Sequence, residues 1–271
     1  MKRNQSGPEV FTQPVMRGVS TLVATLALLC ATGAVAVAAT QIGTDGPDRL
    51  SGTGDPDQLY GEGGDDQLLG LGSNDYLEAG PGNDDAEGGD GLDLIIAGTG
   101  NDDVDSGPGS DVVYAGAGTD LVLGGPGADT LFGQADADRL FGGSGDDTIY
   151  ASIGADFVDA GSGRDRIYSD EGDVTIDAGP GNDVVSAIGG RVAVAGRGGN
   201  DRIRTGPFDD QVVGGFGADS IDSGAGDDTI KVKDKRRDRV QCGPGRDTVS
   251  ADAVDLLSGC EDVHTRRARI G

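Results

Sequence analysis

Aspartate recurs at every ninth position along most of this 271-residue chain, each time at the end of a glycine-rich stretch such as Gly124-Gly125-Pro126-Gly127-Ala128-Asp129 or Gly142-Gly143-Ser144-Gly145-Asp146-Asp147. A carboxylate is a hard oxygen donor, and glycine allows positive φ and close backbone approach, so each stretch could cradle a hard cation. No other chemistry is offered on that scale. The single histidine, His264, stands outside the repeats near the C-terminus and reads as a surface residue. Asp146 and Asp147 imitate an acid and base pair, but only the second belongs to the periodic column. There is no nucleophile elbow, no zinc-binding histidine pair and no phosphate-binding loop. With 51 glycines, matches to Gly-x-Gly-x-x-Gly arise by chance. No enzymatic activity is expected.

The elements that must position those carboxylates follow from the same period. From Gly43 to Lys231 the chain divides into 21 nine-residue units with no insertion or deletion, and the consensus is Gly-Gly-x-Gly-x-Asp-x-(aliphatic)-x. Place eight is Leu, Ile or Val in 20 units, place six is Asp in 19, and place four is Gly in 17. One aliphatic residue flanked by two polar ones fits a three-residue strand with a single inward side chain. A disordered acidic linker would share the composition, yet it has no reason to place an aliphatic residue at every ninth position.

On these residues the chain resembles the RTX (repeats-in-toxin, haemolysin-type) calcium-binding family. The resemblance implies an all-β fold, a parallel β-roll or right-handed β-solenoid, in which six residues of each unit turn and hold calcium, three form a strand, and two units make one turn. Carboxylates 18 residues apart then stack. One edge would carry Asp57, Asp75, Asp93, Asp111, Asp129, Asp147, Asp165, Asp183, Asp201 and Asp219. The other would carry Asp48, Asp66, Asp84, Asp102, Asp120, Asp138 and Asp156, then Val174 and Val192, then Asp210 and Asp228. Multiple calcium ions are expected, with a two-rung gap at the valines unless Asp170 or Asp173 substitutes.

Composition shows what such a roll lacks. With 4% aromatic residues, no Trp and a formal charge of −26, burial alone is a poor source of stability. Carboxylates about 4.8 Å apart repel by about 1 kcal/mol in water and by more when partly buried. A divalent cation between them reverses the sign, so folding is expected to depend on calcium. The same acidity disfavours nucleic acid.

The chain reads as three segments. Residues 1–39 pair Lys2, Arg3 and Arg17 with an uncharged stretch ending in Ala34-Val35-Ala36-Val37-Ala38-Ala39, as in a secretory signal peptide or an N-terminal anchor. Either implies export to the outside or to the cell surface. Residues 40–241 are the roll, and residues 242–271 a cap with a basic tail. Cys242 and Cys260 lie 18 residues apart, one turn of the roll, and in an oxidising compartment are expected to form a disulfide. Place nine of alternate units brings Tyr114, Phe132, Tyr150 and Tyr168 to successive rungs of one outer face. That ladder either stiffens the rungs or recognises a glycan, a cell surface or a second copy. An ice-binding ladder of Thr and Asx at place three is missing.

Overall fold

The computed structural model describes residues 38–265. The leader reading therefore falls, but for its last two residues, outside the described residues, as does the tail beyond Thr265. The described chain is an all-β parallel solenoid of 26 strands in two sheets of 13, odd strands in the first and even strands in the second. One strand from each sheet makes a rung, the first rung being Thr40–Ile42 with Arg49–Ser51 and the last Leu256–Ser258 with Asp262–Thr265.

Pairing is parallel and advances 18 residues per rung: Leu131 faces Val113 on one side and Ile149 on the other, and Val122 lies between Val104 and Leu140. Inward place-eight side chains stack into one column per sheet, Leu59, Leu77, Ile95, Val113 and Leu131 in the first, Leu68, Ala86, Val104, Val122 and Leu140 in the second, all buried. These columns are the core. It is only two side chains thick, so each rung depends on its neighbours.

Two features depart from the plain nine-residue picture. In the N-terminal half many strands run six residues, as in Gln67–Gly72 and Leu94–Thr99, because the ladder resumes at places two and three after the buried residue at place one. Glycine there reads as a turn, yet its backbone still pairs. Near the C-terminus the pitch changes. Ser220 pairs Arg239 and Thr229 pairs Thr248, a step of 19, because residues 232–241 form a ten-residue unit. The unit 242–250 keeps nine residues but 251–258 has only eight, so Arg239 pairs Leu256, and residues 242–265 continue both sheets to the last rung. A Cys242–Cys260 disulfide with Cα atoms 5.3 Å apart joins these final turns.

Candidate metal sites

Each turn between strands is shaped by backbone conformation before any side chain acts. Place two in most turns and place four in many adopt positive φ, as in Gly98 at 119°, Gly100 at 137°, Gly116 at 118° and Gly118 at 132°. Glu62 (74°) and Leu71 (80°) keep the conformation at place two without glycine, whereas Thr44, Thr53, Asp170 and Ile188 do not adopt it. At several turns place four is also too crowded for a side chain. A Cβ on Gly100 would lie 1.5 Å from the carbonyl oxygen of Gly82, and one on Gly118 would lie 1.6 Å from that of Gly100. Backbone carbonyls thus stack closely at these turns, although place four carries a side chain at Asp55, Ser73, Asp136 and Phe208.

The place-six aspartates complete this arrangement. Each uses one oxygen as a strut: Oδ1 of Asp111 accepts the N–H of Asp93 at 2.8 Å, Oδ1 of Asp129 that of Asp111 at 2.9 Å, and Oδ1 of Asp147 that of Asp129 at 2.8 Å. The other edge repeats the pattern through Asp84, Asp102, Asp120, Asp138 and Asp156. The second oxygen has no partner. From Asp66 onward, Oδ2 of every place-six aspartate is buried without a hydrogen bond among the described residues. A buried, unpaired carboxylate oxygen is costly, so a column of them is a candidate cation site.

Their acidity reports the same deficit. Burial, only partly offset by the N–H of the preceding rung and reinforced by the neighbouring aspartates, raises Asp93, Asp102, Asp129 and Asp201 to about 7. Asp165 is likewise held at about 7 and Asp138 at about 8. The same cause lifts Asp75, Asp84, Asp156 and Asp183 to about 6, and Asp66, Asp111, Asp120, Asp147, Asp210, Asp219 and Asp228 upward as well.

The structure therefore brings the sequence-identified aspartates together in two columns, with distinctions among them. Asp48 and Asp57, on the first turns, have their Oδ2 atoms satisfied by the backbone N–H groups of Thr44 and Thr53. At the two-rung gap Val174 and Val192 are buried in place of carboxylates. Asp173 does not fill that gap: it is exposed and holds Arg191 through a backbone N–H and the guanidinium, at 2.8 and 2.7 Å. Two members were missed. Asp238 and Asp247 are buried and accept the N–H groups of Asp219 and Asp228, so both columns run past Lys231. The signal was Asp-x-aliphatic, in Asp238-Arg239-Val240 and Asp247-Thr248-Val249, hidden by counting strictly in nines.

The donor set is oxygen alone, which suits calcium and excludes a thiolate or imidazole site. Among the described residues no three His, Cys, Asp or Glu side chains converge, so the carboxylates cannot complete a site by themselves. Calcium takes six to eight oxygens and accepts backbone carbonyls, which the stacked turns provide.

The aromatic residues singled out from place nine also meet. Tyr114, Phe132, Tyr150 and Tyr168 form a continuous half-exposed stack on the outer face of the first sheet, with centroids 4.6, 4.8 and 5.1 Å apart.

No curated protein compared with the chain gives a significant match. The family profile describing the RTX calcium-binding nonapeptide repeat, in blocks of four copies, matches seven stretches, 42–77, 78–113, 96–131, 114–149, 132–167, 159–190 and 196–230. These cover well over half of the chain and coincide with the turns that carry the carboxylate columns, and the chain therefore belongs to the RTX calcium-binding nonapeptide repeat family.

Proposed function

We propose that the chain is an exported calcium-binding β-roll whose folding is driven by calcium along both edges, and that its role is structural and not enzymatic. One observation carries this: the buried, partnerless Oδ2 column of Asp66 through Asp247. When bound, calcium supplies the positive charge that these oxygens lack. Asp Oδ1 holds the rungs in register, glycine at places two and four keeps the carbonyls bare, and the place-eight column closes the core. The Cys242–Cys260 pair and the leader-like residues 1–39 support export. Affinities of about 10⁻⁴ to 10⁻³ M are common in extracellular modules and would suit such a roll. Far-UV circular dichroism of the chain with calcium and with a chelator tests the reading, and a strand signal indifferent to calcium at neutral pH would overturn it.

The aromatic stack favours a second reading, a recognition module for a glycan, a cell surface or another copy. The rings are half exposed and form a flat strip four rungs long. Replacing Tyr114, Phe132 and Tyr150 by Ser should then abolish attachment while leaving the calcium-dependent dichroism in place. Loss of the fold in calcium, with attachment unchanged in whatever remains folded, would make the stack structural.

A further inference from the structure

The outer face of the second sheet carries its charge in blocks. On the third and fourth rungs Asp85 pairs in register with Asp103 and Glu87 with Asp105, four exposed carboxylates with no cation between them among the described residues. Half-exposed apolar side chains dominate the fifth to seventh rungs, Leu123, Phe141 and Phe157, the two phenylalanine rings 5.8 Å apart, with exposed Arg139 and half-exposed Asp159 beside them. Asp177, one rung further, is already held by Arg197. The ninth rung shows only Ala193 and Ala195 on this face.

At the far end the sign reverses. Lys231 stands exposed on the eleventh rung of this face, and at its edge the turn that leads from Lys231 to the first sheet holds Lys233, Lys235, Arg236 and Arg237, all exposed and none in an ion pair among the described residues. The acids of that loop are engaged by the backbone. Asp234 accepts the N–H groups of Gly217 and Arg236 at 2.8 and 2.6 Å, and buried Asp238 accepts that of Asp219. This is also the ten-residue unit, in which Gly-Gly-x-Gly has given way to Val232-Lys233-Asp234-Lys235-Arg236. A glycine cradle has become a cationic knob.

We propose that this face pairs two copies of the chain, second sheet against second sheet with their long axes antiparallel, the acidic rungs of each copy meeting the basic end of the other. The acidic block at rungs three and four and the basic block at rungs eleven and twelve are nearly equidistant from the middle of 13. Turning one copy end over end therefore sets acid on base at both ends, a closed two-fold arrangement. It also places the apolar rungs against the middle of the partner, with the small Ala193 and Ala195 opposite the bulkier side chains. A foreign polyanion would have to approach a chain of net charge −26, whereas a second copy supplies the complementary charge itself. The face is three residues wide and the overlap about 43 Å long at about 4.8 Å per rung, less than the roughly 800 Å² per partner of a standard interface. The dimer should accordingly be weak and sensitive to salt.

The test needs the chain folded in calcium and so rests on the calcium reading. Dichroism in calcium is recorded first on every variant, which separates failure of that reading from failure of pairing. Sedimentation equilibrium of the full chain in saturating calcium should show a concentration-dependent dimer at about 50 mM salt that dissociates at about 500 mM. Asp103→Lys with Asp105→Lys, and separately Lys231→Glu with Lys233→Glu, should each weaken self-association by at least about tenfold. Mixing the two variants should restore it, because each reversed block then faces its complement at both ends. If a reversal variant does not fold, Asp103→Asn with Asp105→Asn and Lys231→Gln with Lys233→Gln should still lower dimer affinity. A wild-type monomer at low salt, a dimer indifferent to the substitutions, or a mixture that stays monomeric would overturn the proposal. So would a dimer lost on replacing Tyr114, Phe132 and Tyr150 and not on charge reversal.

Discussion

A place-six aspartate does two jobs with two oxygens, and its acidity makes the division measurable. In the metal-free roll the folded-state values of about 7 at Asp93, Asp102, Asp129, Asp165 and Asp201, and about 8 at Asp138, lie above the ordinary value near 4. A carboxyl raised on folding stabilises the fold while protonated, and that stability is lost as pH rises through the folded value. In chelator, lowering the pH from about 8 to about 5 should therefore recover strand signal in circular dichroism. An unchanged signal across that range would count against the buried column. In calcium the direction reverses, because protons compete with the ion for the same oxygens. Glycine can be tested equally locally. Gly118→Ala, with φ at 132° and a Cβ 1.6 Å from Gly100 O, should cost more than about 2 kcal/mol in a calcium-saturated urea titration. Gly54→Ala, whose Cβ meets nothing within 4 Å, should be nearly silent.

At the scale of the strand and turn, the inward column and the stacking of carboxylates were legible because both are strictly periodic. The six-residue strands were not, since Gly80 and Pro81 look like turn residues while their backbones pair with Gly98 and Thr99. Nor were Asp238 and Asp247, because the extra residue in 232–241 breaks the count while leaving the stacking intact. The gap at Val174 and Val192 was visible in both. Replacing both valines by Asp should add bound calcium in equilibrium dialysis and, in chelator, make the chain harder to fold by adding two buried carboxylates. Unchanged stoichiometry would show that those turns cannot hold an ion even with the carboxylate supplied. Phe132 stacks on Tyr114 and Tyr150 with interplanar angles of 3° and 4°. Phe132→Ala forfeits both contacts, and a loss of about 1 to 3 kcal/mol in thermal or urea unfolding is expected.

For the whole molecule, the ends matter as much as the repeats. The C-terminal N–H groups of the two columns are met by side chains of the irregular last turns, Asp255 for Asp238 and Glu261 for Asp247, and the disulfide ties those turns together. Closing a loop of this size stabilises by about 3 kcal/mol in the chain-entropy model. Cys242→Ser with Cys260→Ser should raise the calcium concentration needed for half-maximal dichroism, and hydrogen exchange should show the added opening at residues 239–265 first. Uniform exchange along the roll would mean that the ends are not where it opens. The even spacing of the rungs has a further, mechanical consequence. Thirteen rungs at about 4.8 Å make a rod of about 58 Å, while the same 228 residues drawn out reach about 770 Å. Tethered at one end, the chain would be a short strut of fixed length where calcium is abundant and a slack cord that can be drawn out more than tenfold where it is scarce, so the ion would set the limit of reach of whatever the far end carries.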